Sequence, residues 1–246
     1  MSGELDGKVV LVSGGTRGIG RAIALEAAAR GAQVAVCARN PGQHADGLIQ
    51  RNILVHAADV SKEADVEALF DVVTEKFGRV DVLVNNAGIN RDALLPQTTL
   101  EGFREVMAVN LTGAFLMCRR ALQEFLAQGE GGRIVSISSV SRNGAASQSA
   151  YAASKGGLEG LTRTIAKEYG HKSIHANMVV VGYVPTDLTA GIPEPLLKSV
   201  VENSPLRRAG TPEEIARVVL FLASQRASYV NGETVQATGG LVELPR

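Results

Sequence analysis

The chain has 246 residues, 45% of them apolar, and its 25 Lys and Arg balance 25 Asp and Glu. That apolar fraction fills a real core and excludes a disordered chain, while zero net charge leaves no global field for nucleic acid or an anionic membrane. Cys37 and Cys118 lie far apart and form neither a disulfide framework nor a CxxC pair.

The stretch Met1 to Lys8 is polar and acidic, unlike a signal peptide. Apolar runs such as Val218 to Ala223 fall short of the roughly 18 residues a membrane span needs. A cytoplasmic protein is expected, with residues 1–246 forming one α/β domain, since such folds routinely exceed the soft norm of ~150 residues. Along the chain, Val9–Val12, Gln33–Ala38, Ile53–Ala57, Val80–Asn85, Arg133–Ile137 and Ile174–Val181 read as strands. Most are continuous apolar runs, the pattern of strands covered on both faces. Between them, Val66, Leu69, Phe70, Val73 and Phe77 mark one helical face, and Leu111, Phe115, Cys118, Leu122 and Phe125 mark another. Thr211-Pro212-Glu213-Glu214 is a capping box that opens a helix through Leu222. Alternating units of this kind predict a parallel sheet with helices on both faces. Residues 182–204, with Pro185, Pro193 and Pro195 and weak periodicity, read as an irregular lid.

After the first strand comes Ser13-Gly14-Gly15-Thr16-Arg17-Gly18-Ile19-Gly20, which is not a strict GxGxxG. Gly14, Gly18 and Gly20 nonetheless allow a tight turn and close approach to a pyrophosphate at a helix N-terminus. The second strand ends Val36-Cys37-Ala38-Arg39-Asn40, without the acid that would bind ribose hydroxyls in an NAD site. Arg39 and Arg17 instead suit a 2′-phosphate, which favours NADP(H).

Tyr151 and Lys155, at i and i+4, share one helical face. The ammonium is expected to favour the phenolate and bring the phenol, ordinarily near ~10, toward the working range. Asn85-Asn86-Ala87-Gly88 and Ser138-Ser139 follow two strands, at the carboxyl edge where open parallel sheets bind ligands. His171 and His175 have metal-like i, i+4 spacing, but Gly170 ends the helix before them, so they share no helical face and no metal site is expected.

In order, the glycine loop, Asn85 to Gly88, Asn110, the serine pair and Tyr151 to Lys155 resemble the landmarks of the short-chain dehydrogenase/reductases over essentially the whole chain. The resemblance implies a seven-stranded Rossmann fold and a catalytic set of Asn110, Ser139, Tyr151 and Lys155. In it Tyr151 protonates a carbonyl oxygen that Ser139 steadies, Lys155 holds the ribose and tunes Tyr151, and Asn110 supports a water leading to Lys155. The cofactor would lie along Gly14, Thr16, Arg17, Gly18, Ile19, Gly20 and Arg39, then Asn86, Ala87 and Gly88. Asp59 and Val60 would flank the adenine, and Val184 and Thr186 would meet the carboxamide. Ser138, Ser139, Gln148 and Tyr183 would face the substrate. The family's usual serine-to-tyrosine spacing selects Ser138, whereas counting along the strand selects Ser139 and avoids burying Arg133 more deeply. Val181-Gly182 stands where the family commonly has Pro-Gly.

Within that family Gly88-Ile89-Asn90-Arg91-Asp92, Gln148 and Ser228 to Glu233 are similar to the 3-oxoacyl-[acyl-carrier-protein] reductases. That similarity implies an acyl-thioester substrate, an acyl carrier protein as partner and a homotetramer built on the helices that carry Leu111 and Tyr151. One basic docking position corresponds to Lys172; the other falls near Glu130, whose charge would repel an acidic carrier. A broad carbonyl reductase or alcohol dehydrogenase is the alternative, and a non-catalytic NADP sensor would have lost Tyr151 or Lys155.

Overall fold

The computed structural model describes residues 4–241. In chain order its elements are β1 (Val9–Ser13), α1 (Gly18–Ala29), β2 (Gln33–Ala38), α2 (Asp46–Ile49) and β3 (Leu54–Ala57). There follow α3 (Glu63–Phe77), β4 (Val82–Asn85), α4 (Leu100–Met107), α5 (Gly113–Gln128) and β5 (Gly132–Ser139). The last are α6 (Ser149–Tyr169), β6 (Ile174–Val181), α7 (Glu194–Asn203), α8 (Pro212–Ala223) and β7 (Thr234–Ala237). All strand pairs are parallel, in the order β3-β2-β1-β4-β5-β6-β7. The chain begins at the centre, winds outward through β3, then returns to start β4 on the other side of β1. The crevice at that reversal is where such sheets bind ligands.

Alternation along β1 shows how both faces are filled. Val10 and Val12 join Ile23 and Ala27 of α1 and Ile215, Val219 and Leu220 of α8. Val9 and Leu11 join Val66, Leu69, Phe70 and Val73 of α3, Met117, Ala121 and Phe125 of α5, and Ile165 of α6. Leu11 is wholly buried, so truncating it to Ala would cost about 2–5 kcal/mol.

Two expectations are corrected. Residues 182–204 are not irregular throughout, because Glu194–Asn203 form α7; only Val200 of that helix is buried, so its other apolar residues mark no core face. The buried residues of α5 are Gly113, Ala114, Leu116, Met117, Cys118, Ala121 and Phe125, whereas Phe115 is 44% exposed and Leu122 only partly covered. Asn110 itself lies in a π-helical turn, Ala108–Thr112, that joins α4 to α5.

Candidate active site

The glycine loop is folded tightly at the carboxyl end of β1. Gly14 and Gly18 take φ of +64° and +52°, a region open to glycine. A Cβ on Gly14 would stand 2.9 Å from the Ala87 Cα, and one on Gly20 would collide with the Gly14 carbonyl and the Asn86 amide. The cradle is therefore made by missing side chains and fits a pyrophosphate laid along the backbone. Thr16 is buried, Ile19 packs on the core beneath α1, and Arg17 projects outward. Asn86 donates to the carbonyls of Ser13 and Gly14, and Ser13 Oγ accepts from the amides of Asn86 and Ala87. These bonds stitch the loop after β4 to the loop after β1.

At the adenine end, Arg39 is exposed beyond β2 and Val60 is buried. Asp59 accepts from the Ser61 hydroxyl and amide at 2.7 and 3.1 Å. Partial burial would raise its carboxyl, but those two bonds and the charges of Arg39 and Lys62 outweigh it and hold the pKa below the usual range. At the other end Val184 is buried, and Thr186 receives its fold from Thr189, whose hydroxyl accepts the Thr186 amide.

Tyr151 lies in the first turn of α6, and Lys155 one turn further on. Both are buried, at 9% and 4% exposure. The ammonium stands 5.7 Å from the centre of the phenol ring and donates to the Ile137 carbonyl at 2.8 Å. Among the described residues it pairs with no carboxylate, and burial pushes its pKa down to about 8. The expected lowering of the phenol is not what the chain alone produces. Burial pushes Tyr151 up to about 12, although the Ser139 side chain pulls it back by hydrogen bonding; the nearby Asp92 carboxylate adds to the rise. Desolvation thus outweighs the Ser139 hydrogen bond, and the phenol is a protonated donor at neutral pH.

The serines divide their work. Ser139 Oγ faces Tyr151 and accepts from the Ser141 amide, whereas the buried Ser138 hydroxyl donates to the Lys155 carbonyl at 3.0 Å and fixes α6 to β5. Asn110, 1% exposed, accepts from the Ile89 amide at 2.8 Å and donates to the Ile89 carbonyl and Ser154 Oγ. It pins the loop after β4 to α6. A cavity of about 10 Å³ lies beside it, lined by Asn85, Asn110 and Lys155 among others, and the Asn85 Oδ1 is buried there without a partner. A Cβ on Gly88 would lie 3.4 Å from Asn110 Oδ1 and 3.5 Å from Lys155 Nζ.

Gln148 caps α6, with a buried Oε1 that has no partner. The Ala93 amide bonds the Ser147 carbonyl beside it, bringing the segment after Gly88 to the mouth. Tyr183 lines a different cavity, of about 160 Å³, beneath α7 and α8 with Val200, Leu206 and Ile215. Sequence reasoning missed Asp92, Ser154 and Asp187. Ser154 lies inside the Tyr151–Lys155 stretch and Asp92 ends the Gly88–Asp92 segment, so those stretches were the available signal; Asp187 carries none without the fold.

A doubly wound parallel sheet with a glycine cradle at its switch point and a buried Tyr–Lys pair beyond β5 defines a Rossmann-type dehydrogenase or reductase. A family model described as "Enoyl-(Acyl carrier protein) reductase" matches residues 14–242. The 3-oxoacyl-[acyl-carrier-protein] reductase FabG of Aquifex aeolicus is 39% identical over 246 residues, covering 97% of this chain and 98% of its own. The human 3-oxoacyl-[acyl-carrier-protein] reductase is 42% identical over 237 residues, covering 95% and 98%. The crystal structure of levodione reductase superposes with a TM-score of 0.91 at 35% identity, covering 96% of this chain and 98% of that one. The chain belongs to the short-chain dehydrogenase/reductase family. It is an oxidoreductase that acts on C=O and CH–OH groups with a nicotinamide cofactor. No helix among the described residues is long and apolar enough to cross a membrane.

Proposed function

We propose that the protein reduces the 3-keto group of an acyl thioester with NADPH. The observation that carries the chemistry is Lys155, a buried ammonium without a carboxylate partner among the described residues, whose unused N–H groups lie beside the Tyr151 ring. Such a group needs hydroxyl acceptors, which the nicotinamide ribose has. When bound, the cofactor supplies a hydride to the carbonyl carbon.

Tyr151 donates its proton to the carbonyl oxygen as negative charge develops there, and the Ser139 hydroxyl donates a second hydrogen bond to the same oxygen. Lys155 orients the ribose and favours the phenolate that results. A single water fits the cavity of about 10 Å³ beside Asn110, where it would link Lys155 to the return of the proton. Ser138 and Gln148 frame the substrate side, Ser138 by holding α6 in place. Gln148 presents its amide to the substrate, and residues 182–204, including Tyr183, form the lid.

The missing acid after β2, with Arg17 and Arg39 nearby, supports NADP over NAD. The relatives named above as 3-oxoacyl-[acyl-carrier-protein] reductases support the thioester. A second reading, a broad ketone reductase without a carrier protein, is favoured by Glu130 at a docking position, although Arg79 pairs with that acid at 2.7 Å and softens its repulsion. Acetoacetyl thioesters, simple ketones and sugars are compared with NADPH and NADH by nicotinamide absorbance. Preference for thioesters and NADPH supports the proposal; preference for simple ketones selects the second reading, and preference for NADH overturns the arginine argument. A homotetramer built on α5 and α6, working in the cytoplasm, completes the proposal.

A further inference from the structure

Arg17 stands between the glycines of the first turn, where the 2′-phosphate is proposed to bind, yet its guanidinium already has a partner. Nη1 contacts Asp187 Oδ2 at 3.1 Å, and the two side chains are 65% and 64% exposed. Asp187 follows Thr186, at the start of the segment that covers the crevice. The Thr186 side chain also packs against the glycine loop there, since a Cβ on Gly18 would lie 3.3 Å from Thr186 Cγ2. The contact is therefore a registered meeting of two segments rather than two side chains crossing in solvent. Arg39, the other proposed phosphate ligand, lies close enough to Asp59 for its charge to help lower that carboxyl.

We propose that Asp187 is a positioning residue that limits the preference for NADP over NAD by holding Arg17. This rests on the NADP reading above. A guanidinium has one planar fork, and a carboxylate on it competes with a phosphate for the same donors. The 2′-phosphate must displace Asp187 or share Arg17 with it, while the cofactor lacking that phosphate has no need to. Asp187 thus weakens the phosphate-bearing cofactor selectively and leaves the other untouched. Displacing it also frees the start of the covering segment from the glycine loop.

The test measures dissociation constants for NADPH and NADH by titration with the intact protein, without turnover. Because the pair is exposed, Asp187→Asn is expected to fold normally, which its melting temperature checks. The expected result is NADPH binding tightened about two- to fivefold, the scale of one exposed ion pair, with NADH unchanged. In an Arg17→Gln background the same change has no effect on NADPH, and in 0.5 M salt the gain shrinks. Unchanged or weaker NADPH binding by Asp187→Asn overturns the proposal, as does equal tightening of both cofactors. The wild-type ratio tests the reading beneath it: a chain that binds NADH as tightly as NADPH overturns the NADP assignment and the role of Asp187 together.

Discussion

Tyr151 and Lys155 meet the same burial with opposite results, because one is neutral when protonated and the other charged. Tyr151→Phe should leave NADPH affinity intact and lower kcat about 10²- to 10⁴-fold, the scale of a lost general acid, as steady-state kinetics and cofactor titration will tell. Lys155 also leaves a mark on stability. The unfolded chain keeps its proton to an ordinary 10.5, whereas the folded chain releases it near 8. Between those values unfolding takes up a proton, so this group makes stability rise with pH, by at most about 1.4 kcal/mol per unit. Tyr151 acts the other way at higher pH, because its folded value of about 12 exceeds its ordinary 10, and its contribution falls across that window. Lys155→Met should therefore flatten the change in melting temperature between about pH 8 and 10 while abolishing turnover. Residue types and spacing revealed this pair in the sequence, but the sign of the phenol's shift depends on how completely the site is dried, which spacing does not encode.

Elements differ in how plainly they declare themselves. β1, β2 and β6 were legible because both faces are buried and nearly every position is apolar. β7 was expected only through the family resemblance, since Thr-Val-Gln-Ala is short and half polar. On α5 the large side chains of Phe115 and Leu122 suggest the inward stripe, whereas small residues such as Ala114 and Ala121 face the core. The start of α8 was readable, and its capping box is present: Thr211 Oγ1 accepts from the Glu214 amide and the Glu214 carboxylate from the Thr211 amide. Thr211→Ala should cost about 1 kcal/mol, a fall of roughly 2–4 °C in melting temperature for a chain of this size. Gly20→Ala should be more damaging, because its Cβ collides with the Gly14 carbonyl and the Asn86 amide. Loss of NADPH binding, read by titration, should exceed tenfold whether or not the melting temperature falls.

At the scale of the whole molecule, α5 leaves Phe115 44% and Leu126 45% exposed, and Arg119 lies over the Phe115 ring at 5.5 Å. On α6, Ala153 and Gly160 are exposed small residues that would let a second helix approach. If these faces join copies of the chain, Phe115→Glu should reduce the mass measured by light scattering from that of a tetramer, with the fold retained by circular dichroism. The sheet carries a different consequence. The helix that follows β1 packs against α8, near the other end of the chain. During synthesis Ile23 and Ala27 therefore wait for Val219 and Leu220, and everything up to α8 must leave the ribosome before that side is sealed. A nascent chain stalled before α8 exposes an oily strip along its oldest segment, a natural grip for a chaperone and a starting point for aggregation.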